Sequence, residues 1–120
     1  MQRSYNFFYA FRYAFNGLLL FFRKDTNGKI ELLLALGVIV AGFLLKISSM
    51  EWIVLLICIS IVLATEMLNT AIEKLCDLVE PNLHPVINQV KDISAAAVLL
   101  ASVISAIVGI IIFLPKLFSI

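Results

Sequence analysis

Charge is scarce in this sequence. Only 14% of its 120 residues are Asp, Glu, Lys or Arg, and nine basic residues nearly balance eight acidic ones, for a formal net charge of +1. So small an excess provides no field for nucleic acid, which is held through many phosphate contacts with Lys and Arg, and no nucleic-acid partner is expected. Cysteine occurs twice, at Cys58 and Cys76, and histidine once, at His84. These are too few for a disulfide framework or a zinc site, each of which takes several ligands at short spacing. Both cysteines lie in or beside one apolar segment and read as small packing residues. No Walker A loop, GxGxxG or protein-kinase catalytic loop is present. The opening MQRSYNFFYAFRYAF lacks the short apolar core and small-residue cleavage site of a removable signal peptide. None is expected, and the first transmembrane helix should serve as the insertion signal.

What the sequence has in excess is apolar surface. Hydrophobic residues make up 62% of the chain, against about 45–50% in soluble domains. Three segments approach or reach the roughly 18–20 apolar residues that cross a hydrocarbon core. The expected spans are about 30–47, 52–68 and 95–114. Ahead of them, Phe8, Phe11, Phe15, Leu18 and Phe22 recur every three or four residues, with Arg12, Asn16 and Arg23 opposite. That pattern describes an amphipathic helix over residues 1–24 lying in the membrane interface. A polar break at 25–29, Asp-Thr-Asn-Gly-Lys, has turn chemistry, and Glu31 stands near the entrance of the first span. Lys46 and Ser48-Ser49 close that span, and Trp52 opens the next as an interfacial aromatic. Glu80-Pro81-Asn82-Leu83-His84-Pro85 reads as a loop, since each proline disfavours helix in the residue before it. A last helix is expected from about Asn88 to Leu114, with Pro115-Lys116 marking its exit. The fold class is therefore an all-α membrane protein, one domain with three transmembrane helices and an N-terminal surface helix.

Three spans put the N-terminal segment and the 80–85 loop on one side. That side holds Arg3, Arg12, Arg23, Lys24, Lys29, Lys74 and Lys91, leaving Lys46 and Lys116 opposite. The positive-inside rule makes the richer side cytoplasmic.

Most of the acidic groups gather there too. Glu66, Asn69, Glu73 and Asp77 follow at offsets of 0, 3, 7 and 11, which at about 100° per residue fall within an arc of roughly 80° on one helix face. Ionisable groups in a transmembrane stretch are costly and usually functional. The bland reading of the stripe is the solvated face of a helix leaving the bilayer, with Glu73 or Asp77 paired to a lysine. Hard carboxylate oxygens also suit Mg²⁺, which takes one or two of them together with phosphates and water. Phosphoryl transfer needs a base near the acceptor hydroxyl and a cation near the phosphates. Lys91-Asp92 at the start of the last helix offers such a cation, although a Lys-Asp pair alone is a weak signal. The residues by themselves stop at a carboxylate-rich interfacial site.

Glu66-Met-Leu-Asn69-Thr-Ala-Ile-Glu73-Lys-Leu-Cys-Asp77, followed by Lys91-Asp92-Ile-Ser-Ala-Ala-Ala-Val, resembles the paired signature of the prokaryotic diacylglycerol kinase and undecaprenol kinase family. The resemblance extends back through Phe11-Arg12-Tyr13-Ala14 and Gly17-Leu18, and so covers essentially the whole chain. It implies a small homotrimeric lipid kinase of the bacterial inner membrane, with active sites between subunits at the cytoplasmic face, using ATP and Mg²⁺ on a membrane-embedded lipid alcohol. By matching position, Glu66 would be the general base on the lipid hydroxyl and Asn69 would orient the site. Glu73 would bind the metal. Asp77, Lys91 and Asp92 would hold the nucleotide and its phosphates. Tyr13 falls where the family has a nucleotide-contacting tyrosine, and Asn82, Leu83 and His84 where its loop lines the nucleotide pocket.

Three positions depart from the pattern. Asp25 stands for the family's second metal-binding glutamate, one methylene shorter. Gln89 replaces a basic residue, and Ala95-Ala96-Ala97 lacks a serine found in some diacylglycerol kinases. The His84-Pro85 loop and the Ile-Val-Gly-Ile-Ile-Ile-Phe-Leu-Pro-Lys ending resemble the undecaprenol branch more than the diacylglycerol branch. The competing class is a non-enzymatic membrane assembly or regulatory protein in which the stripe fixes helix packing or passes cations. Small residues along the last helix, Ala101, Ser105 and Gly109 among them, are compatible with close helix contacts.

Overall fold

The computed structural model describes residues 6–119, which form four α-helices and no strand. They are α1 (Phe7–Lys24), α2 (Thr26–Leu44), α3 (Ser49–Val79) and α4 (Pro85–Phe118). The first five residues of the expected surface helix, Arg3 among them, lie outside the described residues. α3 packs against α4 along much of its length and against α2 on another side, while α1 packs on α2. The result is a flat body of 56 × 39 × 21 Å.

Local chemistry explains the helix ends. Asn6 caps α1, its side chain accepting the Tyr9 N–H at 2.9 Å. Asp25 then serves two helices at once. Its backbone N–H closes α1 on the Phe21 carbonyl, and its carboxylate opens α2 by accepting the N–H groups of Asn27 and Gly28. The polar break expected over 25–29 is therefore a single residue, because an N-cap carboxylate satisfies the amides that would otherwise need a loop. Ser48 and Glu51 form a reciprocal capping box at the start of α3.

α2 ends at Leu44, short of the expected Ile47, in a left-handed turn at Lys46 (φ 53°). There the Ile47 N–H reaches back to the Gly42 carbonyl at 3.2 Å, a Schellman closure in which glycine is the usual left-handed residue. α4 begins at Pro85 rather than Asn88, because a proline fits the first turn and His84 caps it, Nδ1 accepting the Val86 N–H at 3.2 Å. The same helix runs through Pro115 to Phe118, contrary to the expected exit. In an apolar setting the freed backbone groups of a broken helix have no water to turn to, so one missing bond costs less than an open end.

Few side chains are buried. Phe21, Ile47, Leu55, Val62, Cys76 and Ile112 make up the buried apolar set among the described residues, whereas most large apolar side chains point outward. That distribution suits a chain whose solvent is lipid, and α2, α3 and α4 are each long and apolar enough to cross a membrane. α3, at 31 residues, is roughly 46 Å long at about 1.5 Å per residue. It thus exceeds a hydrocarbon core of about 30 Å and carries its polar stripe past the apolar zone.

Two glycines permit the closest approaches. A Cβ on Gly28 would lie 2.8 Å from the Phe21 ring, and one on Gly42 would lie 2.7 Å from Trp52.

Candidate active site

The stripe on α3 grades from buried to open. Glu66 is 5% exposed, Asn69 and Glu73 are partly buried, and Asp77 is exposed. Cys76, on a neighbouring face one residue before Asp77, stays buried, so the gradient belongs to the stripe's own face rather than to the helix as a whole.

Glu66 and Asn69 line a cavity of about 330 Å³ with Asn27, Glu31, Ala95 and Val98, drawn from α2, α3 and α4. Asn27 and Glu31, both from the first turns of α2, thus face the Glu66 carboxylate across that cavity. The amide oxygen of Asn69 is buried and accepts no hydrogen bond, alone in this among the buried side-chain polar atoms of the described residues. Leaving such an acceptor unsatisfied costs about 1–3 kcal/mol. A hydroxyl or ammonium donor entering the cavity would recover that cost.

Asp25 reaches the same region from the α1–α2 junction. One of its carboxylate oxygens accepts the Asn27 and Gly28 amides, and the other accepts the hydroxyl of Thr70 on α3. Thr70 was not among the expected site residues, although an offset of four from Glu66 puts it at the edge of the stripe. Asn27 and Glu31 were missed as well. Their signals were an amide in a polar break and a lone charge opening an apolar run.

Farther along α3, Asp77 accepts a hydrogen bond from the Lys91 ammonium at 2.6 Å, tying the end of α3 to the start of α4. This is the lysine partner that the solvated-face reading anticipated, and both groups remain open enough to meet a ligand.

The other expected residues are more dispersed. Asp92 is exposed on the first part of α4, and Glu73 sits between Thr70 and Asp77 on the stripe. Asn82 and Leu83 are exposed in the connection between α3 and α4. The Asn82 N–H binds the Glu80 carboxylate at 3.2 Å, and Leu83 is 92% exposed. His84, as the α4 cap, has Nδ1 committed to the backbone. Tyr13 lies on α1 stacked with Tyr9, ring centroids 6.3 Å apart, and does not line the Glu66 cavity.

No three His, Cys, Asp or Glu side chains among the described residues converge on one metal position. One or two carboxylates completed by phosphates and water, the usual surroundings of Mg²⁺, match the donors present at Asp25 and Glu73.

Residues 12–113 match the family model described as prokaryotic diacylglycerol kinase. The chain is 39% identical over 111 residues to the undecaprenol kinase of Bacillus subtilis, covering 92% of this chain and 90% of that protein. It is 36% identical over 119 residues to a diacylglycerol kinase of Synechocystis, covering 98% of this chain and 68% of that protein. Against a diacylglycerol kinase of Haemophilus influenzae it is 32% identical over 104 residues, covering 85% and 88% of the two chains.

Proposed function

The chain belongs to the prokaryotic diacylglycerol kinase family, and from that premise we propose that it phosphorylates a membrane-embedded lipid alcohol from ATP at a site built around Glu66. The observation that carries this reading is the buried Glu66 carboxylate beside the unsatisfied amide oxygen of Asn69, in a cavity they share with Asn27 and Glu31. A buried carboxylate in a multi-pass membrane protein is costly unless used.

In this reading the lipid hydroxyl enters the cavity and donates its hydrogen bond to Glu66, with Asn69 fixing its direction. Glu66 takes the proton as the hydroxyl oxygen attacks the γ-phosphorus, the bond to the bridging oxygen breaks, and ADP leaves. Positioning and charge neutralisation supply most of the acceleration, as in phosphoryl transfer generally.

Asp77, Lys91 and Asp92 hold the nucleotide, the Lys91 ammonium exchanging part of its Asp77 contact for phosphate oxygens. Tyr13 and the Asn82-Leu83-His84 connection border the base and sugar. Asp25 and Glu73 would hold Mg²⁺, which when bound neutralises phosphate charge. The Thr70 hydroxyl on Asp25 and its amide contacts keep that shorter side chain directed toward α3.

We place the site on the cytoplasmic side, supported by the basic residues at that end of the helices, and the working unit as a homotrimer, supported by the family resemblance and by the small residues of α4. Undecaprenol is the preferred acceptor, supported by the identity to the Bacillus subtilis enzyme over 90% of its length.

The test is transfer of label from radiolabelled ATP, with Mg²⁺, in micelles offering undecaprenol and diacylglycerol in parallel. Undecaprenol should be labelled preferentially, and Glu66→Gln should abolish labelling. Preferential labelling of diacylglycerol would reverse the acceptor assignment. Undiminished labelling in Glu66→Gln would remove Glu66 from the chemistry.

A further inference from the structure

A long groove takes no part in the proposed chemistry. It encloses about 520 Å³ and is lined from three helices, with Leu34 and Val38 from α2, Leu55 and Val62 from α3, and Ile110 and Phe113 from α4. On α4 it extends from Ser102 to Leu117, roughly 22 Å at about 1.5 Å per residue. Glu31 is the one charged residue that lines it, and Glu31 also lines the cavity of Glu66 and Asn69. The two hollows therefore adjoin at a shared carboxylate.

The polar end is rich in acceptors and lacks a cation. Glu31 and Glu66 line one cavity, and among the described residues no Lys, Arg or His lines either hollow. The ion pairs of the described residues, Lys91–Asp77 and Lys116–Glu51, lie elsewhere. Beside the two carboxylates, the buried Asn69 amide oxygen accepts no hydrogen bond. A lipid hydroxyl brings one donor and no charge, and so answers only one of these three groups. A primary ammonium brings three N–H donors and a positive charge. It matches the acceptors in number and opposes the carboxylates in sign. A hydrated divalent ion would meet the charge but leave the apolar groove unused, whereas a cation carrying one hydrocarbon chain would use both.

We propose that the two hollows together bind a single-chain cationic amphiphile, a long-chain primary amine, with its ammonium among Glu31, Glu66 and the Asn69 oxygen and its chain along the groove. Such a ligand takes the place of the lipid alcohol without offering a hydroxyl, and so inhibits the proposed reaction by competing with the acceptor. The binding itself is measured without nucleotide, so it stands or falls separately from the kinase reading.

The experiment measures retention of labelled hexadecylamine by the full chain in neutral detergent at neutral pH, with hexadecanol and hexadecyltrimethylammonium alongside. Hexadecylamine should be retained at least tenfold over both, since the first lacks the charge and the second lacks N–H donors. Glu31→Gln/Glu66→Gln should reduce that retention at least tenfold. Glu80→Gln/Asp92→Asn, which removes equal charge at the same end of the helices, should leave it within twofold. Gly109 lines the groove, and a Cβ there would meet nothing within 4 Å. Gly109→Leu therefore enters open space and should reduce retention at least fivefold with the carboxylates intact. Helical circular dichroism checks folding in each variant. Equal retention of hexadecyltrimethylammonium, or equal loss in the Glu80/Asp92 variant, would reduce the effect to general charge and overturn the site. Displacement by equimolar Mg²⁺ would make the carboxylates a metal site instead. Unchanged retention in Gly109→Leu would remove the chain from the groove, and a changed oligomeric size in that variant would assign the groove to a second copy. Each of these results would overturn the proposal.

Discussion

The start and the middle of α3 carry the same residue type in opposite circumstances. At its start, the Glu51 carboxylate accepts the Ser48 N–H at 2.9 Å and meets the Lys116 ammonium at 3.1 Å, so every feature of that turn is answered by a partner. Fifteen residues on, Glu66 is buried and shares its cavity with Glu31 and with Asn69, whose amide oxygen has no donor. Glu51 stabilises a helix end and a contact with α4. Glu66 sits where the fold tolerates unfavourable electrostatics, which is where chemistry is expected. Identical side chains on one helix are thus placed in a capping role at one point and in the setting proposed for the general base at another by what surrounds them.

The sharpest way to break this comparison is to neutralise each glutamate in turn. Glu66→Gln should lower kcat by about 100-fold or more, the scale of a lost general base, while leaving thermal unfolding unchanged or raised. Glu51→Gln should lower the unfolding temperature and leave kcat within twofold. Trp52, the single tryptophan, stands next to Glu51 and reports unfolding by fluorescence. Matching kinetic losses in both variants would erase the distinction between the two glutamates.

Asn69→Leu comes next. Removing a buried acceptor that lacks a donor should stabilise the protein by about 1–2 kcal/mol, even as phosphate transfer falls more than tenfold. Loss of stability instead would mean that Asn69 is satisfied in the working protein, for instance by a neighbouring subunit.

Ser48→Ala removes one half of the capping box and should cost about 1 kcal/mol in thermal unfolding without altering transfer. The smallest effect belongs to Lys46, held at φ 53°. Lys46→Gly relieves a left-handed conformation that costs a side-chain-bearing residue about 1–2 kcal/mol, offset in part by the greater freedom of unfolded glycine, for a net gain of up to about 1 kcal/mol. A destabilised Lys46→Gly would show that this lysine contributes more than its backbone geometry reveals.

Much of the architecture was legible because it follows from short-range periodicity. Runs of apolar residues marked three helices long enough to cross a membrane, and offsets of 3, 7 and 11 placed Glu66, Asn69, Glu73 and Asp77 on one face. Helix ends were read less well. Asp25 and His84 act as caps through contacts two or three residues away, yet their neighbours Gly28 and Pro85 resembled loop residues. Within the site, the Thr70–Asp25 bond joins residues 45 apart and the Lys91–Asp77 pair joins residues 14 apart. Neither distance leaves a periodic trace.

The sequence by itself determined the solvent of this protein and the face on which its carboxylates stand, because hydropathy and helical repeat are properties of neighbouring residues. Only the tertiary structure decided which carboxylate would be buried, which amide would lack a partner and which carboxylates would share a cavity. Those outcomes depend on what α1, α2 and α4 bring against α3, and burial and electrostatic environment are set by such contacts rather than by the residue that experiences them.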